Sequence, residues 1–485
     1  MSHRLSRSRL PALLVPLLLA GCVNYSGITP QGRLASADSL QAARALRDVE
    51  LSPAAWPDGP WWNALGDPAV TALVEEALAN SPGLQEVSAR VAKANAQVQG
   101  ANADRYPRID AQGGVSRARQ SRSQNDSGQG QNYATLRSLS FDLAWEPDLW
   151  GGRRAAWSAA VSEAHAAEVD YHAARLALTV NVVRAYNRLA QAWRVADLAG
   201  RDEQRTAKLL ELTEQAHRLG QSDLSLLSSA RGLHASARSA QEGAGMEVKV
   251  AALQLAALLG KDVDRALDIE RPASLAARPL ALPSQVPAEL LGRRPDIIAA
   301  RWRVEAASHD IVAIKTRFYP NVDLVASAGV NALSGDNLLG SASRFWGLAP
   351  AVSLPIFDAD RLRSTLKAGN ADYDAMIARY NQTLLDALHE VGLSVTRLQA
   401  LAMQTRTQQQ ARDMAQTAFD IAMHRYESGD ASYLFTLNIQ QQLLQADRQL
   451  VELEGQRVDQ SIVLIGALGG GFQEDVPQDG SARVR

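Results

Sequence analysis

The stretch LALTVNVVRAYNRLAQAW, residues 176–193, decides the fold. Its apolar residues recur at spacings of 4, 3, 3, 4 and 3 positions: Leu176, Val180, Val183, Tyr186, Ala190 and Trp193. This spacing predicts an α-helix with one apolar side, as in a coiled coil. The chain has no proline between Pro147 and Pro272. A helix from Gly152 to Leu219 would hold about 68 residues and measure on the order of 100 Å.

A second stretch later in the chain repeats the pattern. Residues 360–426 again lack proline, and their apolar residues are spaced at 4, 3, 4, 3 and 4: Leu384, Leu388, Val391, Val395, Leu398 and Ala402. The two stretches end near Gly220 and Gly429, and glycine is a common left-handed helix stop. Return helices are expected at 224–259 and 433–468, so the sequence predicts two long antiparallel helical hairpins.

The positions of proline and tyrosine indicate an internal duplication. Pro82 precedes Tyr106 by 24 residues, and Pro295 precedes Tyr319 by the same 24. A fixed spacing that recurs once along the chain is the signature of two tandem units. The expected segments are a signal peptide at 1–21, a lipidated extended arm at 22–60 with a short helix near 39–49, a first repeat at 61–271, a proline-rich linker at 272–287, a second repeat at 288–471 and a flexible tail at 472–485.

The first residues resemble a bacterial lipoprotein signal. Arginines precede an apolar run over residues 10–20, which is too short to span a membrane. The sequence Leu-Ala-Gly-Cys at 19–22 resembles a lipobox, which implies cleavage before Cys22 and a diacylglycerol on its thiol. Val23 follows, and the absence of aspartate there resembles lipoproteins of the outer membrane. The alternative is an ordinary signal peptide with an incidental cysteine.

Between the helices of each repeat the periodicity changes to two. Alternating apolar residues predict strands at about 107–118 and 133–146 in the first repeat, and at about 320–331 and 345–357 in the second. Each segment is long enough to cross a membrane as a β-strand. A soluble hairpin packed on the helices would show the same alternation, so the pattern leaves both readings open.

The number of strands bears on that choice. Four strands cannot close a barrel, and an open strand edge cannot lie in lipid because its backbone groups would have no partners. Strands that cross a membrane therefore require several copies of the chain to share one barrel. Three copies would supply twelve strands and would bring their long helices together. The expected fold class is mainly α with membrane β.

Several short motifs occur in the same order as in a known family: Trp61-Trp62, Gly66-Asp67-Pro68, Ala77-Leu78-Ala79-Asn80, two Tyr-Pro steps, Trp150-Gly151-Gly152 and the two glycine turns. Together they resemble the TolC-like outer-membrane efflux proteins, in the lipoprotein (NodT-type) branch that serves resistance-nodulation-division pumps. The resemblance covers residues 61–471. It implies a homotrimer whose twelve-stranded β-barrel in the outer membrane continues into a periplasmic α-helical barrel.

The same resemblance implies a function and partners. It implies the exit duct of a tripartite efflux pump that exports drugs or other small molecules and so confers antibiotic resistance. The implied partners are a periplasmic adaptor (membrane fusion protein), an inner-membrane resistance-nodulation-division pump and the lipid of the outer membrane. The alternatives are the outer-membrane channel of a type I protein secretion system and a structural envelope lipoprotein that conducts nothing.

An enzyme is not expected from the sequence. The eight histidines are scattered, no His-Glu-x-x-His motif occurs, and the chain has one cysteine. The glycines at 469–471 close the last helix and do not connect a strand to a helix, as a phosphate-binding loop would. We expect no catalytic residue, no metal and no cofactor other than the lipid on Cys22. A formal charge of −2 argues against a nucleic acid partner.

The two glycine turns are the expected adaptor contact. Arg218-Leu219-Gly220 resembles a tip motif of the family. The equivalent turn in the second repeat contains three further candidates: Arg425, Tyr426 and Gly429. The alternative is that both glycines only end their helices.

Asp430, together with Tyr426, is the expected periplasmic gate. Threefold symmetry would place three copies of this carboxylate around one axis, where they could repel each other or bind cations. The alternative is that Asp430 is the N-cap of the next helix. Ser432 could provide that cap instead.

Overall fold

The computed structural model describes residues 24–35, 59–119, 133–273, 275, 292–333 and 336–473. Several predicted features lie outside these residues, namely the signal peptide, Cys22, the short helix near 39–49, most of the linker and most of the tail. The described residues carry two tandem sets of helices and strands.

The helices and strands follow in this order: α1 Pro68–Asn80, α2 Pro82–Ala103, β1 Arg108–Arg119, β2 Tyr133–Trp145, α3 Gly152–Arg218, α4 Leu224–Leu258, α5 Pro295–Thr316, β3 Asn321–Leu333, β4 Arg344–Ser353, α6 Arg361–Glu427 and α7 Tyr433–Ala467. Both long helices, α3 and α6, have 67 residues and lie within one residue of the predicted bounds. None of the described helices contains an apolar run long enough to cross a membrane.

The break between the first two helices has a local cause. The Asp67 carboxylate accepts a hydrogen bond from the Ala69 amide at 2.9 Å and caps α1, with proline at the first helical position. Pro82 cannot continue the α1 ladder because it has no N–H. The chain therefore leaves helical geometry at Ser81, whose φ and ψ are −62° and 117°, and begins α2 immediately afterwards.

The strands form one antiparallel sheet in the order β1-β2-β3-β4. The two predicted hairpins are thus joined, because β2 of the first repeat pairs with β3 of the second. β4 ends at Ser353, four residues before the predicted end at 357. The ladder stops there because its last pair is Asn321–Ser353 and β3 begins at Asn321, so residues beyond Ser353 have no partner in β3.

The register gives the sheet two unlike faces. Opposite residues of antiparallel strands share a face. One of the two, here called the apolar face, is formed over most of its length by Ile109, Ala111, Gly113, Val115, Leu139, Phe141, Leu143, Trp145, Leu324, Ala326, Ala328, Val330, Trp346, Leu348 and Pro350. The same face carries Arg117, Arg137 and Arg344 at the end of the sheet where β2 and β4 begin. The other face is mostly polar or small and includes Asp110, Gln112, Ser138, Ser140, Asp142, Asp323, Ser327, Asn331, Gly347 and Ala351. Trp346, on the apolar face, is 81% exposed in the single chain.

The chain forms two compact units, and neither unit coincides with a repeat. The first comprises Met1–Leu34, Val91–Ala167 and Ala300–Tyr380. It contains the sheet and an apolar cluster formed by Ile28, Ile311, Phe318, Leu362 and Leu366. The second comprises Ala35–Arg90, Glu168–Ala299 and Asn381–Arg485. Segments from both repeats therefore build each unit.

The larger apolar core lies in the second unit. Trp61 and Trp62 are buried there and meet edge to face at 5.8 Å, so these two tryptophans pack in the core. The same core takes residues from four helices: Val70, Leu73, Val74 and Ala77 of α1, Val182, Val183, Tyr186 and Leu189 of α3, Ala251 and Leu255 of α4, and Val458, Ile462 and Ile465 of α7.

Ion pairs give the order of the long helices in the second unit. Glu214 of α3 pairs with Arg231 of α4 at 3.2 Å. On another side of α3, Arg184 binds Asp459 of α7 at 2.8 Å. Arg412 of α6 in turn binds Asp447 of α7 at 2.9 Å. The helices are therefore neighbours in the series α4, α3, α7, α6, and α4 and α6 stand at its two ends.

The turn before α6 contains two left-handed residues that are not glycine, Ala359 with φ 54° and Asp360 with φ 64°. The first repeat places Gly151, with φ 77°, in its equivalent turn. We expect Ala359→Gly to stabilise the protein by about 0.5–1 kcal/mol, because a side chain in left-handed geometry costs about 1 kcal/mol or more. Thermal unfolding of the purified protein measures this gain.

Ala235→Gly is the matched control for that prediction. Ala235 is exposed within helix α4, where glycine costs about 1 kcal/mol relative to alanine. The two substitutions should therefore change the unfolding temperature in opposite directions. Equal losses of stability would show that the Ala359 turn stores no strain.

Candidate functional site: the turns of the two helical hairpins

The first turn closes α3 with a Schellman motif. The Gly220 amide donates to the His217 carbonyl at 3.0 Å, and the Gln221 amide donates to the Ala216 carbonyl at 2.8 Å. Gly220 has φ 72°, which a residue with a side chain adopts only at a cost. The next helix begins four residues after Gly220, at Leu224, with Asp223 as its cap.

The second turn has the same hydrogen bonds. The Gly429 amide donates to the Tyr426 carbonyl at 2.9 Å, the Asp430 amide donates to the Arg425 carbonyl at 2.8 Å, and Gly429 has φ 80°. Both glycines thus end a long helix in the same way.

All the predicted tip residues lie at the surface of the chain. Leu219 is 71% exposed and Tyr426 is 42% exposed, while Arg218 and Arg425 are also exposed. A Cβ atom added at Gly429 would meet no other atom within 4 Å, and the same is true of Gly220. Larger side chains would therefore fit sterically at both turns of a single chain.

The structure assigns the cap of α7 to Ser432 and not to Asp430. The Ser432 hydroxyl accepts a hydrogen bond from the Phe435 amide at 3.3 Å. In the first repeat Asp223 has the equivalent place, where it accepts from the Leu226 amide at 2.8 Å. Asp430 is the third residue beyond α6, it is exposed, and its carboxylate has no partner among the described residues. This carboxylate is free to meet solvent or another chain.

Tyr426 belongs to a small polar and aromatic cluster. Its ring lies 4.7 Å from the ring of Tyr433 at an interplanar angle of 44°. Lys208 of α3 binds Glu211 at 2.7 Å and lies within electrostatic reach of both tyrosines. The Glu211 carboxylate raises the pKa of the Lys208 ammonium, and the two tyrosines add to this rise. The gate candidate therefore has a cationic neighbour.

Sequence reasoning missed Lys208 and Tyr433. Lys208 precedes the first turn by ten residues or more and belongs to a helix of the other repeat, so no spacing rule connects it with Tyr426. Tyr433 is the first residue of α7. Its position directly after the second turn was the one available signal, since a ring there can lie over the end of the preceding helix.

The arm that follows Cys22 packs against the helices and strands of the first unit. The Tyr25 and Tyr319 hydroxyls are 2.9 Å apart, and the Asn24 carbonyl accepts a hydrogen bond from Arg363 at 2.6 Å. Further along, the Gly32 amide donates to the Asp374 carboxylate at 2.7 Å. The arm therefore follows α6 from its first turn onward.

Comparisons with known proteins agree with this architecture. The model of the outer membrane efflux protein family matches residues 73–261 and 286–470, one segment in each repeat. The chain is 34% identical over 368 residues to the fusaric acid resistance protein FusA of Burkholderia cepacia, covering 75% of this chain and 69% of FusA. It is 30% identical over 448 residues to the multidrug resistance outer membrane protein MdtP of Shigella flexneri, covering 88% and 89% of the two chains.

A solved structure shows the same fold. The outer membrane protein VceC of Vibrio cholerae superimposes with a TM-score of 0.78 at 34% sequence identity, and the match covers 86% of this chain and 100% of VceC. The family model covers more than half of the chain, and MdtP aligns along most of its length. The chain therefore belongs to the outer membrane efflux protein family.

Proposed function

We propose that three copies of this chain form the outer-membrane exit duct of a tripartite efflux pump. The observation that carries the proposal is the four-stranded sheet with one apolar face. β1 and β4 are its edge strands, and their outward backbone groups pair with no other strand of the described residues. Such edges are incompatible with lipid unless another copy covers them. Three copies would give an even, closed set of twelve strands.

The unlike faces of the sheet support a membrane barrel. In such a barrel the lipid side is apolar and the lumen is polar, with the two alternating along each strand. The apolar face defined above fits the lipid side, and Asp110, Asp142 and Asp323 on the opposite face fit a watery lumen. A soluble hairpin would bury its apolar face, whereas Trp346 remains exposed in the single chain.

The helices offer a second surface for assembly. The α4 face is a row of small uncharged residues at spacings of four and three, all exposed in the single chain: Ser225, Ser229, Gly232, Ser236, Ser239 and Gly243. The α6 face is a row of larger uncharged residues at the same spacings, all exposed in the single chain: Met403, Thr407, Gln410, Met414, Thr417 and Ile421. Rows of this spacing are coiled-coil seams.

Residues of the α4 face and of the α6 face lie at matching distances from the two hairpin turns, and their sizes are complementary. Ile421 precedes Gly429 by eight residues, and Ser229 follows Gly220 by nine. Met414 precedes Gly429 by fifteen, and Ser236 follows Gly220 by sixteen. Because α4 and α6 end the series of helices in the second unit, closing a ring of copies would bring α4 of one copy beside α6 of the next. Large residues would then meet small ones.

The proposed cargo and partners follow from the relatives. FusA and MdtP carry the words fusaric acid resistance and multidrug resistance in their names, so we propose small molecules as the cargo. The exposed turns would contact a periplasmic adaptor, and an inner-membrane resistance-nodulation-division pump would drive export. A type I protein secretion channel is less well supported, because both of these names refer to resistance to small molecules.

Cross-linking tests whether β1 and β4 meet between copies. Asp110→Cys and Ala351→Cys in one chain place thiols on the polar face of the two edge strands, and native Cys22 offers no free thiol if it is lipidated. A bismaleimide should then give trimers on a denaturing gel. Asp142→Cys with Ser327→Cys is the control, because these residues are direct neighbours within one chain and should cross-link at monomer mass.

Conductance in a planar bilayer tests the duct itself. The purified trimer should form discrete conducting channels. A chain that gives trimers and no channels would support the structural lipoprotein instead. If the Asp110→Cys, Ala351→Cys protein gives only monomers after cross-linking, the shared barrel is wrong.

The proposed anchor is a lipid on Cys22. The bound arm supports it, because Tyr25 lies three residues after this cysteine and is held against Tyr319, near the start of β3. Wild-type protein should take up labelled palmitate and Cys22→Ser should not. Absence of label in the wild type would refute the anchor.

The proposed gate is a ring of three Asp430 carboxylates with Tyr426. Its support is that Asp430 is exposed and is not the helix cap. Each carboxylate near a cation contributes about 1 kcal/mol even in water, so Asp430→Ala should weaken block by divalent cations at least about tenfold. It should also raise conductance. Gln221→Ala, at the equivalent place in the first turn, should change neither, and equal effects of the two would argue against a gate.

A further inference from the structure

A cavity of about 720 Å³ lies in the first unit where the sheet meets the helices. The first turns of α3 and α6, the end of α5, the first residue of β3 and the last residue of β4 all line it. If the strands cross the outer membrane, the cavity lies where the apolar, lipid-facing part of the barrel ends. The inference below therefore rests on the proposed function.

The cavity carries more positive charge than its own acids neutralise. The Asp148 carboxylate already accepts hydrogen bonds from the amides of Arg153 and Arg154 at 3.0 and 2.8 Å. Arg153 binds the Glu146 carboxylate and the Asp104 carbonyl, but its Nε atom is buried without a partner. Asp148 thus caps α3, and Glu146 binds Arg153 alone.

Two further arginines line the same cavity. Arg317 is the residue that follows α5, and Arg361 is the first residue of α6. Both are exposed, and their guanidinium groups have no partner among the described residues. An arginine fork presents donors in the geometry of a carboxylate or a phosphate. The cavity therefore holds unused donors for an anion.

An aromatic wall stands beside these arginines. The rings of Trp150 and Tyr319 stack at 5.0 Å with an interplanar angle of 22°. The Trp150 indole nitrogen donates to the Pro320 carbonyl at 2.6 Å, which fixes the ring, and Trp150 is 49% exposed. Tryptophan and tyrosine concentrate where lipid meets water, because one end of each side chain is apolar and the other is polar.

We propose that this cavity binds the phosphate of a phospholipid headgroup. Arg317 and Arg361 would bind the phosphate oxygens, and the Trp150-Tyr319 wall would lie along the glycerol and the upper acyl chains. The lipid proposed on Cys22 cannot take this place, because it has no phosphate. The arm nevertheless reaches the same wall through the Tyr25–Tyr319 contact, which agrees with acyl chains at this level.

The experiment measures lipid binding to the delipidated, purified protein by native mass spectrometry. The probes are phosphatidylglycerol, a phosphate-free diacylglycerol glycolipid, and inorganic phosphate. The variant is Arg317→Gln with Arg361→Gln. Each lost guanidinium contact with a phosphate is expected to lower affinity about tenfold, so the double variant should bind phosphatidylglycerol about 100-fold more weakly than the wild type.

Arg119→Gln with Arg344→Gln is the matched control. These exposed arginines lie at the opposite end of the sheet, at the last residue of β1 and the first of β4. The control removes the same charge and should bind phosphatidylglycerol like the wild type. Equal losses in both variants would overturn the site and indicate attraction by net charge alone.

The remaining outcomes separate the possible ligands. Equal binding of the phosphate-free glycolipid would overturn a phosphate site. Saturation of the cavity by inorganic phosphate, without any preference for the lipid, would overturn the phospholipid assignment in favour of a free anion. Conductance distinguishes this inference from the proposed duct, because the Arg317→Gln, Arg361→Gln variant should still form trimers and channels. A wild type that forms no channels would contradict the duct alone.

Discussion

Gly232→Met is expected to leave the protomer folded and to abolish the trimer. Gly232 is an exposed member of the α4 face, and a Cβ atom there would meet no other atom within 4 Å of the single chain. Methionine is also a better helix former than glycine. The single chain should therefore lose no stability. The cost should appear only when α6 of another copy packs against this face.

The size of that cost explains the expected loss. Inserting a large side chain into a packed seam typically costs about 1–3 kcal/mol. A symmetric trimer contains the seam three times, so the total is roughly 3–9 kcal/mol. Size-exclusion chromatography with light scattering should show monomers, and channel activity should disappear with the trimer. Circular dichroism should show unchanged helix content.

Arg238→Met is the control for this prediction. Arg238 lies on a different side of α4, where it pairs with Glu242 of the same helix at 3.2 Å. An exposed pair of this kind contributes less than about 1 kcal/mol. The control should keep the trimer. A trimeric Gly232→Met protein would show that α4 and α6 of neighbouring copies do not meet at this level.

The long helices could be predicted from the sequence because their signals are local. Spacings of three and four and the absence of proline fix a helix wherever it lies in the fold. The bounds of α3 and α6 accordingly agree within one residue. The end of β4 was missed because the alternating pattern continues to Ile356, whereas the partner strand β3 reaches only as far as the pair Asn321–Ser353. Here the extent of the partner strand outweighed side-chain periodicity.

Contacts between helices could not be predicted, because they depend on which helices become neighbours. Arg294 is an example, since it binds Asp296 at 2.7 Å, Glu390 at 2.8 Å and the Ala467 carbonyl at 2.9 Å. Glu390 and Ala467 lie on α6 and α7, far from Arg294 in sequence. The cavity of the first unit is a similar case, because residues from several helices and strands line it.

The gate and tip residues could be predicted from the sequence only in part. Gly220 and Gly429 were visible as helix stops, and both adopt left-handed geometry. The choice between Asp430 and Ser432 as a cap was not visible, because both stand within reach of the first turn of α7. The hydrogen bond from the Phe435 amide to Ser432 decides it. Functional variants of the turns test their proposed role in binding the adaptor.

Gly429→Leu is expected to remove most drug resistance while the amount of trimer stays nearly constant. Gly429 has φ 80°, so a side chain there costs about 1–2 kcal/mol of backbone strain. That cost is small for a large assembly and falls on an exposed turn. Under the proposed contact, however, a leucine would stand between the turn and the adaptor. Resistance measured in a strain that lacks its own channel should therefore fall close to that of the empty vector.

Gly66→Leu is the control that separates backbone strain from loss of the proposed adaptor contact. Gly66 has φ 83°, and a Cβ atom there would also meet no other atom within 4 Å. It ends the short helical turn Trp61–Leu65 of the second unit and lies in neither hairpin turn. Leucine at Gly66 therefore imposes the same backbone cost without touching the proposed contact, and resistance should be kept. Equal loss of resistance and of trimer in both variants would mean that Gly429 only ends its helix, since the same strain would then have the same effect at either place.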